Sequence, residues 1–118
     1  MADTFSFLPL TPFAFQVLLA LAEGECHGYG IIKEVEERSG GTVKLRTGTL
    51  YTLLQRLSKE GLISEAPLPP GAEPSDDRRR YYELTPLGHE VLKAEARRLE
   101  GLINDARRKH LLGDTIGA

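Results

Sequence analysis

The chain has 118 residues, 41% hydrophobic and 27% charged, which bounds it to one ordinary globular domain with a small core. No apolar run approaches the length of a membrane span, no basic stretch precedes the apolar N-terminal residues, and the single cysteine, Cys26, excludes an internal disulfide, so a cytoplasmic protein with no membrane partner is expected. The formal net charge of −2 argues against a polyanionic partner, but residues 1–32 hold no Lys or Arg and all 15 basic residues lie between Lys33 and Lys109; local field rather than net charge steers a polyanion.

The N-terminal segment to Leu10 is apolar for a tail, with Phe5, Phe7 and Leu8, so it either packs on the domain or meets a second subunit. Thr11-Pro12 is a helix start, a cap followed by proline at the first helical position. A first helix is expected over about 12–23, with Phe13, Val17, Leu18 and Leu21 as its buried stripe and Gly24 ending it. Residues 25–30 form a turn leading into a second helix, whose apolar face is Ile31, Ile32 and Val35 and whose stop is Gly40-Gly41. Residues 42–45 are long enough for a brief strand only.

A third helix follows Arg46. Thr47 is its expected N-cap, Leu50, Leu53, Leu54 and Leu57 its apolar stripe, and Gly61 its left-handed stop. The opposite face carries Thr49, Thr52, Gln55, Arg56 and Lys59, with no carboxylate until Glu60. That face is either simply solvated or built to lie against phosphates and base edges, since a helix chosen for solubility alone mixes both signs. Residues 62–66 and 80–84 read as extended arms around a proline-rich loop, a hairpin that forms a wing. Thr85-Pro86 repeats the cap-then-proline signal, and a long helix runs to about 111 with Leu92, Ala96, Leu99, Ile103, Ala106 and His110 at alternating spacings of four and three, a heptad seam.

The expected fold class is mainly α with a small β-hairpin (α+β): a winged helix-turn-helix plus a long C-terminal dimerisation helix. The expected division is a DNA-binding domain with its N-terminal segment over 1–85, the dimerisation helix over 86–112 and a frayed tail over 113–118. A helix-turn-helix inserts its last helix into the major groove, N-terminal end first. That makes Arg46, Thr47, Gly48, Thr49 and Thr52 the candidate readers, with Gln55 and Arg56 further along the helix. Arg78, Arg79 and Arg80 would supply backbone contacts from the wing, although Asp76 and Asp77 partly cancel their charge.

Four motifs now stand in order: His27-Gly28-Tyr29-Gly30-Ile31, Gly48-Thr49-Leu50-Tyr51, residues 57–63 reading Leu-Ser-Lys-Glu-Gly-Leu-Ile, and residues 80–88 reading Arg-Tyr-Tyr-Glu-Leu-Thr-Pro-Leu-Gly. Together they resemble the PadR family of bacterial transcriptional regulators, from Thr11 to about Arg108. The resemblance implies a dimeric winged-helix repressor that binds double-stranded DNA at a palindromic operator and responds to a small-molecule effector. A single C-terminal helix looks like the short subfamily. Some members of that subfamily stack aromatic drugs between tryptophans at the dimer centre, and this chain has no Trp. Tyr29 and Tyr51 either touch phosphates, as the resemblance suggests, or serve as amphipathic core-edge residues.

The expected homodimer interface combines Phe5, Phe7 and Leu8 with Leu92, Ala96, Leu99, Ile103, Ala106 and His110. His27, His89 and His110 lack partners at metal-ligand spacing, and Cys26 reads as buried filler rather than a sensor. No metal, cofactor or catalytic constellation is implied, so an enzyme is not expected. The alternative function is a winged helix used purely for protein interaction, which would call for a neutral or acidic third-helix face; Arg46, Arg56 and Lys59 count against it.

Overall fold

The computed structural model describes residues 4–67 and 80–113. A 3-10 turn, Thr4–Phe7, leads to α1 (Pro12–Ala20), β1 (Cys26–His27), α2 (Gly28–Arg38), α3 (Thr47–Lys59), β2 (Ile63–Ala66), β3 (Tyr81–Leu84) and α4 (Pro86–Arg108). The described residues thus form four α-helices and a small antiparallel sheet of order β1-β3-β2. Helices α1, α2 and α3 close around a core in which Val17, Leu18, Ile31, Val35, Leu50 and Leu57 are buried. Each such leucine contributes about 2 kcal/mol of burial. The sheet lies beside α3, with Ile63 and Tyr82 reaching the same core.

Helix ends follow from local chemistry. The Thr11 and Thr85 hydroxyls accept from the backbone N–H groups of Ala14 and Gly88 at 3.2 and 3.0 Å, as the cap-then-proline pattern predicts. Helix α3 closes on Gly61 at φ +80°, with Gly61 N–H donating to the Ser58 carbonyl and Leu62 N–H to the Leu57 carbonyl. Helix α4 ends in the same doubly bonded way, with His110 in the left-handed position at φ 59°. His110 therefore lies past the helix rather than on its seam.

Three local expectations change. Residues 42–45 form no strand, because the Ser39 hydroxyl accepts the Val43 N–H at 3.0 Å, taking the donor that a ladder would need. Cys26 and His27, expected in a turn, pair with Tyr82 and Tyr81 as a third strand. Phe13 stands at the surface, and Ala14 takes the buried position on α1.

Helix α4 joins the rest of the molecule through its first turns. Thr85 donates its hydroxyl to the Gly61 carbonyl at 2.6 Å while capping α4, so one side chain fastens the end of α3 to the start of α4. Gly88 is required there: a Cβ would stand 1.9 Å from the Leu62 carbonyl oxygen. Val91, Leu92 and Glu95 are buried, whereas Leu102 and Ile103 in the second half are exposed. No helix among the described residues is long and apolar enough to cross a membrane.

Candidate nucleic-acid interface

Helix α3 buries its four leucines and exposes Thr47, Gly48, Thr49, Tyr51, Thr52, Gln55 and Arg56, with Arg46 exposed just ahead of it. Thr47, expected as the N-cap, is the first helical residue instead, and Arg46 occupies the cap position with no side-chain cap bond. Leu45 is buried, and the chain enters the helix directly after it. The free N–H groups of the first turn are consequently left for water or an anion.

The helix stands as a ridge between two grooves. On one side a cleft of about 520 Å³ runs along the start of α1, lined by Thr11 and Phe13 across from Gly48, Thr49, Thr52 and Arg56. On the other, a groove of about 350 Å³ separates α3 from the wing, with Tyr51, Thr52, Gln55 and Ser58 facing Glu65, Arg80 and Tyr82. Thr52 lines both, so it sits on the crest; its hydroxyl donates to the Gly48 carbonyl at 3.0 Å.

Tyr29, at the start of α2, is 72% exposed. Its placement follows from the residues around it. The His27 ring caps α2, its Nδ1 accepting from Gly30 N–H at 2.9 Å, and packs edge-on to Tyr81 at 5.3 Å. Gly28 lets α2 approach α3, since a Cβ there would come 2.9 Å from the Tyr51 hydroxyl. Gly30 likewise leaves room for Cys26 Sγ. Burial first, and the charge of Glu34 second, push the Cys26 thiol above its ordinary value, the opposite of the shift a reactive thiolate needs.

Electrostatics on the wing side are mixed. Arg80 Nε lies 3.5 Å from Glu65 Oε1, with both side chains well exposed. The Tyr82 phenol is raised by burial and then by the Glu65 charge, with Arg80 opposing. Arg56 has a long i,i+4 contact to Glu60 at 3.9 Å, too open to neutralise it. Arg78 and Arg79 lie outside the described residues. Thr11, Phe13 and Glu65 border the same surface without having been assigned to it from the sequence, because only the approach of α1 and β2 to α3 brings them there, and Ser58 joins them from α3's own exposed face.

The residues expected at a dimer interface divide. Leu92 is 6% exposed and belongs to the chain's own core. Phe7 and Leu8 pack against that core too, and the N-terminal segment lies along the same chain's α4, where Glu95 Oε2 accepts the Leu10 N–H at 3.0 Å. Phe5, Ala96 and Ile103 are exposed, and Leu99 and Ala106 half-buried.

These features define a winged-helix protein with an acid-free third helix. The chain matches the Transcriptional regulator PadR-like family over residues 17–94 and belongs to that family. It is 32% identical over 90 residues to Transcriptional regulator Rv3488 of Mycobacterium tuberculosis, covering 75% of this chain and 77% of that one. It is 41% identical over 80 residues to an uncharacterized 37.1 kDa protein in transposon TN4556 of Streptomyces fradiae, covering 68% of this chain but spanning only 21% of that longer protein. Among solved structures, a PadR family transcription regulator from Clostridium difficile R20291 matches with a TM-score of 0.69 at 26% identity, over 83% of this chain and 97% of that one. Bacillus subtilis PadR in complex with operator DNA matches with a TM-score of 0.59 at 25% identity, over 71% of this chain and 46% of that one.

Proposed function

We propose that this regulator is a sequence-specific DNA-binding repressor that acts as a homodimer on an inverted repeat and responds to a small-molecule effector. The observation that carries the reading is the α3 ridge, whose exposed face offers hydroxyl, amide and guanidinium groups and no carboxylate, with a groove along either side. The operator complex of the Bacillus subtilis relative supports it. Arg46, Thr49 and Thr52 read base edges; Tyr29, Tyr51 and Arg80, with Arg78 and Arg79 of the wing, hold the backbone. The second half of α4 pairs with its copy, and the effector sits between the paired helices and the winged domains.

The test is selection from genomic fragments followed by measured affinities. Wild-type protein should enrich one inverted-repeat sequence and lose affinity steeply as salt rises. Arg46→Ala and Thr49→Ala should each weaken that binding by about 1–3 kcal/mol. Enrichment of no sequence would overturn the reading.

A further inference from the structure

In the β2–β3 ladder Ile63 stands opposite Leu84 and Glu65 opposite Tyr82, and Glu65, Tyr82 and Arg80, just ahead of β3, line the groove that faces α3. Ile63 and Tyr82 are buried, as such an inward face requires. Toward the open end, where the groove meets solvent, the same face continues as an acid and a base, Glu65 and Arg80, 3.5 Å apart. Glu65 is thus the acid among the residues lining the groove between the wing and the α3 ridge, opposite Thr52 and Gln55. Both side chains are well exposed, and exposed pairs of this kind add little stability, so the contact is easily exchanged for another anion at the mouth of the groove.

We propose that Glu65 is an internal competitor of phosphate: its carboxylate occupies Arg80 in the free protein and lowers affinity for every duplex by about the same factor, leaving selection of the operator to the base contacts of α3. The inference rests on the DNA-binding reading above. A phosphodiester entering the groove must draw Arg80 away from Glu65 and lie close to an anion, and both demands are independent of base sequence. In a chain of net charge −2, such a device keeps an exposed arginine from making the wing a general polyanion site.

The experiment measures fluorescence anisotropy on two probes, the genomic fragment enriched by wild-type protein and a random duplex of about 30 base pairs, roughly three helical turns. Glu65→Gln should tighten both by a similar factor, about three- to tenfold at low salt, and the gain should shrink as salt screens the charge. Arg80→Ala should weaken both, and adding Glu65→Gln to it should recover clearly less than in the wild-type background, because the arginine being released is gone. Glu65→Thr, which suits a strand, should reproduce the gain if the glutamine variant folds poorly. No gain with either substitution, a loss confined to the enriched fragment (Glu65 then acts as a base acceptor), or an equal gain without Arg80 would each overturn the proposal. A wild-type protein that binds neither probe removes the reading beneath it, an outcome distinct from binding that ignores Glu65.

Discussion

Glu95 is the buried charge among the described residues, at 1% exposure, and its two oxygens are both engaged. Arg98 donates through Nε at 2.6 Å and through its terminal nitrogen at 3.0 Å, and Leu10 donates its N–H. The Arg98 hydrogen bonds hold the carboxyl below its ordinary value; burial opposes them, and the Leu10 N–H assists. Because the folded value lies below the unfolded one, the ionised carboxylate stabilises the fold at neutral pH, and this contribution disappears as pH falls past the ordinary carboxylate value through the depressed one. Denaturant midpoints measured between about pH 7 and 3 should fall with acidification, and Glu95→Gln should flatten that fall while costing about 1–3 kcal/mol at neutral pH. An unchanged pH slope in the variant would show that Glu95 is not the group responsible.

Among elements, the three threonines at helix starts separate by what their hydroxyls do. Thr11 and Thr85 cap α1 and α4, whereas α3 has no side-chain cap and Thr47 lies inside it. Thr11→Ala and Thr85→Ala should each lower stability by about 1 kcal/mol, with Thr85→Ala the larger because its bond to the Gly61 carbonyl is lost as well. Thr47→Ala should change the thermal midpoint little, within about 0.5 kcal/mol. A Thr47→Ala loss equal to the other two would restore the capping role that the sequence assigns it. The start of α3 has no side-chain cap, so its first-turn N–H groups stay open to an acceptor from solvent or a ligand.

For the whole molecule, the fate of α4 decides the assembly. At 23 residues the helix is about 35 Å long, and its buried positions end at Glu95. Beyond, Leu102 and Ile103 stand exposed, with Leu111 and Leu112 past the helix end, an apolar surface that monomers avoid. In the proposed dimer, pairing about a two-fold axis would cover it and would set two α3 ridges about 34 Å apart for an inverted repeat. Leu99→Glu with Ile103→Glu should convert a sedimenting dimer to a monomer and abolish cooperative operator binding. Leu92 is left out of that test because its burial serves the chain's own core. Wild-type protein sedimenting as a monomer at micromolar concentration would refute the dimer.

What the sequence determined by itself was local. Cap-proline pairs, glycine stops and the leucine period of α3 depend on neighbours within one or two turns, so the order of helices and the winged-helix class were legible before any packing was known. The four ordered motifs carried the family for the same reason, and within them Gly28 and Gly88 stand where an added Cβ would come 2.9 Å from the Tyr51 hydroxyl and 1.9 Å from the Leu62 carbonyl oxygen. The tertiary structure decided what depends on distant partners. Cys26–His27 became a strand only because β3 lies beside it, and a two-residue strand has no periodicity to read. The heptad period of α4 could not say which positions the chain would bury against itself; the winged domain takes Leu92 and leaves Ile103. Phe7 and Leu8 were apolar enough for either of two surfaces, and their own core covers them. Glu65 and Arg80 are fifteen positions apart and meet only when the hairpin closes, since pairing across strands is set by register, which no local pattern of charge encodes.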